Sequence, residues 1–154
     1  MSCVILRTAW VFSGRRSNFV LTMLKLARER PELRVVNDQF GSPTWARALA
    51  EDTAALLGKG DQLREQGGVY HLTAAGEVSR YDFAVAIIDR MRMLTGQATG
   101  WARLIPVSTA EYPLPAKRPY YSVISMDKIR KAFGIEPEDW SRHLADCLAE
   151  MTAR

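Results

Sequence analysis

The sequence predicts an α/β fold of about five helices and short strands, and three patterns support this. Two β-branched and apolar runs, near residues 4–12 and 68–75, are typical of buried strands. Apolar residues at helical spacing fill much of the rest of the chain. Short strands alternating with helices favour a parallel sheet, but the strands are too few for a complete doubly wound sheet.

Five helical segments follow from apolar spacing and from residues that can cap a helix. Their predicted caps or starts are, in chain order, Asn18, Ser42 or Thr44, Ser79, Ser125 and Glu138. Residues 58–68 are predicted to be a solvent-exposed connection between the second helix and the next strand. The segment 112–119 contains three prolines, so it cannot form a regular helix.

Composition predicts one globular domain over residues 1–154. The chain is 47% hydrophobic and 25% charged, proportions that allow a core without disulfides or metals. Cys3 and Cys147 are far apart and form no Cys-x-x-Cys motif, which favours a reduced, cytoplasmic protein. No apolar stretch approaches the roughly 18 residues of a membrane span, so we expect a soluble chain without a membrane partner.

The formal charge of +4 arises from basic residues interleaved with acidic ones along the helices. None of the usual nucleic-acid-binding modules is recognisable, so we expect no nucleic-acid partner. A basic face also suits a small anion such as a nucleotide diphosphate. His71 and His143 are single histidines without metal-ligand spacing, so structural roles are favoured and no metal site is predicted.

Five segments together carry a resemblance to a known family. They are Arg7-Thr-Ala-Trp-Val-Phe12, Asn18-Phe19, Asn37-Asp-Gln-Phe-Gly-Ser-Pro-Thr44, Gly68-Val-Tyr-His-Leu72 and Ala116-Lys-Arg-Pro119. In this order and spacing the chain resembles the dTDP-4-dehydrorhamnose reductases, which belong to the extended short-chain dehydrogenase/reductase superfamily. The match runs from about residue 4 to the end, and it resembles only the carboxy-terminal part of such an enzyme.

The resemblance implies a substrate-binding domain with a partial Rossmann-like, NAD(P)-binding fold. In the family, an amino-terminal domain holds NADPH or NADH and a smaller carboxy-terminal domain holds the dTDP-sugar. The strands near 4–12 and 68–75 would complete the sheet of an upstream cofactor domain. The implied reaction is hydride transfer to the C4 ketone of dTDP-4-dehydro-L-rhamnose, which yields dTDP-L-rhamnose.

Two motifs that this chemistry requires are missing from the sequence. The family resembles other short-chain reductases in using Tyr-x-x-x-Lys, in which the tyrosine protonates the developing alkoxide. Four residues after the tyrosines stand Ala74, Val85, Ala116, Ile124 and Ser125, and none is a lysine. No glycine-rich pyrophosphate loop occurs either. We therefore expect that this chain alone has no catalytic residue, does not bind the cofactor alone and is not catalytic.

The resemblance also implies a set of substrate-binding residues: Trp10, Asn18, Gln39, Thr44 and Arg118. Trp10 would lie beside the sugar ring, although a core tryptophan in a hydrophobic strand is the alternative. Gln39 and Thr44 belong to a loop before a helix, where polar groups suit an anionic nucleotide, and a helix cap is the alternative. The Arg118 guanidinium can bind a diphosphate through two hydrogen bonds, and a surface arginine without a ligand is the alternative.

Thr8 and Ala9 are the predicted cofactor contacts, and they would act only together with the upstream domain. The family's usual serine is Ala9 in this chain, and its usual tyrosine is Phe12. Any hydrogen bond that those two hydroxyls make is therefore lost.

Three interpretations of the whole chain remain open. It is half of a split enzyme whose cofactor-binding half is a separate polypeptide, or it is a free-standing sugar-nucleotide-binding module. The third is an inactive remnant in which the unprotected edge of the strand around Leu6 pairs with another copy, giving a homo-oligomer.

Overall fold

A computed structural model describes residues 3–113 and 115–153 of the chain. Within these two ranges the chain forms eight short strands and six helices, which confirms the α/β class. The strands are β1 (Val4–Arg7), β2 (Val11–Phe12), β3 (Glu32–Val36), β4 (Phe40–Gly41), β5 (Thr44–Trp45), β6 (Gly68–His71), β7 (Val78–Ser79) and β8 (Arg103–Val107). The helices are α1 (Phe19–Glu29), α2 (Ala46–Leu57), α3 (Asp61–Glu65), α4 (Arg80–Thr95), α5 (Asp127–Phe133) and α6 (Trp140–Thr152).

The described strands pair two by two. Parallel pairs join β1 to β6, β2 to β5 and β3 to β8, and β4 pairs with β7 in antiparallel fashion. Leu6 lies beside Tyr70 in the first of these pairs, so the two runs singled out in the sequence are neighbours. The β3–β8 pair brings residues 37–39 and 108–109 together just beyond its carboxyl end, where Asn37 N donates to Val107 O at 2.9 Å.

The run near residues 4–12 is not one strand, as predicted, but two strands separated by Thr8, Ala9 and Trp10. Trp10 has a φ of 50°, in the left-handed region that bulky residues rarely adopt. Extended backbone therefore ends at Arg7 and resumes at Val11. The second predicted run, 68–75, is also shorter than expected, because its strand ends at His71.

Helix capping follows the sequence in two cases. Asn18 Oδ1 accepts from Leu21 N at the start of α1, and Ser79 Oγ accepts from Asp82 N at the start of α4. The prediction for α2 is wrong, because this helix begins after Trp45, which makes no side-chain capping bond. At α5 the cap position is Met126, one residue later than predicted, but Ser125 Oγ still accepts from Asp127 N, the first residue of the helix, at 3.1 Å.

Residues 58–68, predicted to be a solvent-exposed connection, contain the short helix α3. Arg64 pairs with Asp61 at 2.9 Å within its single turn, and Gln62 Nε2 donates to Ala132 O at 2.7 Å. The extra helix raises the number in the described residues from the predicted five or so to six.

The larger core cluster lies between α1, α4, α6 and the β3–β8 pair. Phe83 of α4 is 2% exposed, and its ring centre lies 5.6 Å from that of Phe12, 5.7 Å from Phe19 and 5.8 Å from Trp140. A second cluster packs β6 against α5, where the rings of Tyr70 and Phe133 meet edge to face at 5.1 Å. The first cluster packs Phe12, which lies two residues after Trp10, against Phe83 near the start of α4.

Candidate functional site

Trp10 occupies the break between β1 and β2, and three contacts fix its ring. Its Nε1 donates to Ser122 Oγ at 3.0 Å, and Ser122 Oγ donates in turn to Phe40 O at 2.9 Å. Gly41 lies so close that an ideal Cβ there would stand 2.6 Å from Cδ2 and Nε1 of the indole. The indole can take this position only because residue 41 has no side chain.

The third contact of the Trp10 ring is with Arg80, the first residue of α4. The guanidinium carbon of Arg80 lies 4.3 Å from the centre of the indole and 5.5 Å from the centre of the Phe19 ring. Arg80 Nε also donates to Gln39 Oε1 at 3.2 Å. Cation–π contacts and a hydrogen bond therefore hold this half-buried cation in one place.

Gln39 links Arg80 to the loop that follows β8. Its side chain is 4% exposed, and its Nε2 donates to Thr109 Oγ1 at 3.0 Å. Thr109 donates to both carboxylate oxygens of Asp38, from Oγ1 at 2.7 Å and from its backbone N at 2.8 Å. Desolvation acts against ionisation of Asp38, but the hydrogen bonds from Thr109 outweigh it and lower the pKa of this carboxyl.

Two cavities adjoin this network and share Gln39 and Arg118 in their walls. The smaller, of about 240 Å³, is lined by Trp10, Gln39, Arg80, Arg118, Pro119 and Ser122, and we call it the arginine cavity. The larger, of about 350 Å³, also has Tyr112, Lys117 and Tyr120 in its wall, and we call it the tyrosine cavity. Together they offer basic groups beside aromatic rings, which suits a ligand with an anionic centre and a flat ring.

The charged side chains that line the arginine cavity are both positive. Burial, and then the positive charge of Arg118, lower the pKa of Arg80, although an arginine keeps its charge at neutral pH. Among residues 3–113 and 115–153, no carboxylate lies within 4.0 Å of either guanidinium. The site therefore has an excess of positive charge that an anionic ligand can neutralise.

The structure brings three of the sequence-predicted substrate residues together, since Trp10, Gln39 and Arg118 line one cavity. The Asn18 side chain instead forms hydrogen bonds within the protein. Its Nδ2 donates to Ser13 O at 2.8 Å, and its Oδ1 caps α1. Thr44 is 1% exposed, and its Oγ1 donates to Ser42 O at 3.1 Å and accepts from Ala74 N at 3.0 Å.

The two predicted cofactor contacts lie in the break before Trp10. Thr8 is exposed and Ala9 is half-buried, and both belong to the segment that joins β1 to β2. They line neither of the two cavities.

Sequence reasoning missed Arg80 and Ser122. Arg80 had a readable signal, because an arginine at the first position of a helix opposes the helix dipole and therefore calls for an explanation. Ser122 had none, because it lies far along the chain from Trp10 and only the folded loop brings it to the indole.

The two histidines lie outside the two cavities. His71 Nδ1 is 3.1 Å from Ser125 O, and His143 is buried in α6, with Nδ1 lacking a hydrogen-bond partner. In the described part of the chain, no three or more His, Cys, Asp or Glu side chains are arranged to hold a metal ion. None of the helices in these residues has the length and apolar character needed to cross a membrane.

Fold and site together define an α/β domain whose two cavities combine arginines with aromatic rings. Comparison with known proteins gives the particular family. The family model described as the RmlD substrate binding domain matches residues 1–153, and the chain belongs to this family.

Full-length relatives agree with this assignment. The chain is 43% identical over 153 residues to the dTDP-4-dehydrorhamnose reductase of Burkholderia thailandensis, covering 96% of this chain and 51% of the relative. The crystal structure of the Bacillus anthracis dTDP-4-dehydrorhamnose reductase in complex with NADP superimposes with a TM-score of 0.81 at 31% identity. The ortholog from Clostridium acetobutylicum also gives 0.81, at 35% identity, and each structure matches 96% of this chain and 48% of its own. The chain thus spans about half the length of these relatives.

Proposed function

We propose that this chain is the sugar-nucleotide-binding part of a dTDP-4-dehydrorhamnose reductase. The observation that carries the proposal is the meeting of Trp10, Gln39 and Arg118 in one cavity, although they come from distant parts of the chain. The reaction is reduction of the C4 ketone of dTDP-4-dehydro-L-rhamnose to dTDP-L-rhamnose, a step of dTDP-rhamnose biosynthesis in the cytoplasm. Membership of the RmlD substrate-binding family supports this substrate class.

The roles of the residues follow from their chemistry. The Trp10 indole, held by Ser122 and Gly41, is the flat apolar surface beside which the sugar ring lies. Arg118, which is exposed and borders both cavities, binds the diphosphate. The tyrosine cavity takes the base, whose flat ring packs against Tyr112 or Tyr120.

Three of the predicted substrate residues support the site indirectly, through hydrogen bonds within the protein: Gln39, Asn18 and Thr44. The amide of Gln39 already bonds to Thr109 and Arg80, so its contribution is to fix the wall shared by the two cavities. Asn18 and Thr44 were predicted to contact substrate, and that prediction stays untested. Their polar atoms bond within the protein, which favours an indirect role in holding the loops around Trp10.

A cofactor-binding half would complete the enzyme. In the described residues β1 pairs with β6 along one edge, and Ile5 is 52% exposed on β1. Val11 of β2 is 45% exposed. Parallel strands are normally covered on both faces and continued by neighbouring strands, so we propose that a Rossmann domain, on this polypeptide or a separate one, packs against these side chains and adds strands to this pair. Thr8 and Ala9 would then face the cofactor.

Mechanistically, this chain supplies binding and orientation. NADPH or NADH, held mainly by the cofactor-binding half, supplies the hydride when bound. Arg118 and Trp10 would orient the sugar nucleotide so that its C4 points towards that half, and the Trp10 indole would shield one face of the sugar from water. The acid that protonates the new alkoxide would come from the cofactor-binding half, because the tyrosines here lack the family's lysine partner.

Calorimetric titration of the purified chain with dTDP-L-rhamnose, and separately with NADPH, tests the proposal. We expect saturable binding of the sugar nucleotide and no binding of NADPH. Trp10→Ala should weaken sugar-nucleotide binding, while Trp101→Ala, which removes a tryptophan outside both cavities, should leave it unchanged. Absence of dTDP-L-rhamnose binding by a folded chain would refute the proposal, and NADPH binding would refute the division of labour between the halves.

The same preparation tests the competing interpretation of an inactive remnant. If the β1 edge pairs with a second copy, sedimentation velocity will show a dimer, and Ile5→Lys will convert it to a monomer. A dimer without sugar-nucleotide binding favours the remnant. A monomer that binds the nucleotide favours a free-standing module or a half awaiting its partner.

A further inference from the structure

Arg80 is a cation for which the protein itself provides no counter-charge. It is half-buried, and its pKa is lowered first by burial and then by the neighbouring charge of Arg118. Within the two described ranges no carboxylate is within ion-pair distance of it. Buried charges are normally paired, so the partial burial of Arg80 favours binding of a compensating anion from outside the chain.

The position of Arg80 at the start of α4 adds to this excess of positive charge. A helix amino terminus carries partial positive charge, and α4 has 16 residues. Asp82 offsets part of that field from the first turn, where its carboxylate accepts from Ser79 Oγ at 2.6 Å. The guanidiniums of Arg80 and Arg118 nevertheless line the same cavity without an acidic partner.

The guanidinium of Arg80 is also held ready for a ligand. The Trp10 and Phe19 rings lie 4.3 and 5.5 Å from it, and its Nε is bonded to Gln39. Among the described residues no acceptor engages its two terminal Nη groups, which leaves them available. Because the side chain is already ordered, a ligand that binds to it loses less conformational entropy.

We propose that Arg80 and Arg118 together form a two-arginine site that binds the diphosphate of the sugar nucleotide, with Arg80 as the fixed arm. The proposal rests on the proposed function and deepens it, because it assigns a binding residue that the family resemblance did not supply. Arg118 approaches the diphosphate from the exposed loop, while Arg80 approaches from the helix end. Two guanidiniums match a diphosphate better than a single phosphate, since each can donate two parallel hydrogen bonds.

A consequence concerns the sugar. Arg80 would hold the diphosphate beside the Trp10 ring, because the guanidinium that would bind the diphosphate already lies over the indole. Because the sugar is bonded covalently to the diphosphate, this arrangement also fixes where the sugar ring lies against the indole, which aligns it before chemistry.

Calorimetry with inorganic pyrophosphate and with inorganic phosphate is the direct test, using the intact chain and four variants. Arg80→Gln removes the charge, Arg80→Lys keeps it without the planar fork, and Arg118→Gln removes the exposed arm. Arg90→Gln is the matched control, since Arg90 is exposed on the same helix and lies in the wall of a different cavity. Thermal unfolding verifies that each variant is folded.

We expect pyrophosphate to bind more tightly than phosphate. Arg80→Gln and Arg118→Gln should each weaken pyrophosphate binding about tenfold to hundredfold, and Arg90→Gln should leave it unchanged. Arg80→Lys should recover part of the loss. If Arg80→Gln fails to fold, Arg80→Lys and Arg118→Gln decide the question through the same two ligands.

The proposal is overturned if the wild-type chain does not bind pyrophosphate, or if folded Arg80 variants bind it as tightly as wild type. Titration with dTDP-L-rhamnose separates this failure from failure of the proposed function. Binding of the sugar nucleotide that is unaffected by Arg80→Gln refutes the two-arginine site alone. Arginine-dependent pyrophosphate binding without dTDP-L-rhamnose binding refutes the proposed function and retains only the inference that the two arginines bind a diphosphate group.

Discussion

Gly41 and Trp10 are in contact so close that only a glycine fits beneath the indole. An added Cβ would stand 2.6 Å from two of the ring atoms, and the ring cannot retreat easily because Ser122 holds its Nε1. The backbone of Trp10 is itself in the left-handed region, at a φ of 50°. The local backbone conformation of Trp10 therefore costs free energy, and contacts from distant parts of the chain keep the side chain in place.

Gly41→Ala is expected to displace the Trp10 ring and to destabilise the fold by about 1–3 kcal/mol, the usual cost of overpacking. Near-ultraviolet circular dichroism and urea unfolding measure the two effects. Gly58→Ala serves as the control, because Gly58 has a helical φ of −63° and a Cβ there meets nothing nearer than 3.3 Å. Equal stability of Gly41→Ala and wild type would show that the indole has another position available.

Thr44→Val is expected to lower the free energy of unfolding by about 1–3 kcal/mol, because Ala74 N loses its acceptor in a buried place. Urea denaturation measures this. Thr53→Val is the comparison, since the Thr53 hydroxyl donates to Leu49 O within α2 and no backbone N–H depends on it. If Thr44→Val keeps wild-type stability but loses dTDP-L-rhamnose binding, Thr44 contacts the ligand directly, as the sequence predicted.

The stability of the protein is expected to fall as the pH drops below about 6.5, in part because of His143. Burial lowers the pKa of this histidine below its ordinary value of 6.5, against the opposing pull of Glu138, Asp146 and other nearby carboxylates. Between the folded and unfolded pKa values the unfolded state binds more protons, so lower pH favours unfolding. Above about pH 6.5 both states are neutral at this residue and its effect vanishes.

Urea unfolding at about pH 7.5 and about pH 5.5, in wild type and His143→Leu, isolates this histidine. The variant should show the smaller loss of stability on acidification. The raised pKa of Asp52, caused by burial, has the opposite effect on stability, since it favours the folded state as the pH falls. Asp52 is present in both proteins, so its effect cancels in the comparison. An identical pH dependence in the two proteins would contradict the assignment to His143.

The two cysteines are expected to differ sharply in reactivity. Burial raises the pKa of Cys147 to about 11, and its side chain is 1% exposed, whereas Cys3 is exposed. Since the thiolate is the reactive form, a thiol reagent at neutral pH should label one cysteine in the folded protein and both in denaturant. Cys3→Ser should abolish labelling of the folded chain. Rapid labelling of this variant would mean that α6 opens readily.

Local patterns were sufficient for most of the helices. Asn18 and Ser79 cap α1 and α4 as predicted, because a cap depends on residues three positions apart. The helix α3 was missed, since a single turn leaves too few apolar residues for a periodic pattern. The interruption at Trp10 was missed for a different reason, namely that β-branched neighbours give no sign of a left-handed residue between them.

The sequence by itself determined the α/β class and the family resemblance. It also determined three of the residues that meet in the arginine cavity, namely Trp10, Gln39 and Arg118. Those conclusions depend on short motifs and on their order along the chain. Only the tertiary structure decided that Arg80 lies over the Trp10 ring and that Ser122 accepts a hydrogen bond from the indole N–H. It also showed that the side chains of Asn18 and Thr44 form hydrogen bonds with other groups of the protein. The physical reason is that these contacts join residues distant in sequence, whose meeting depends on how helices and strands pack around the Phe83 core.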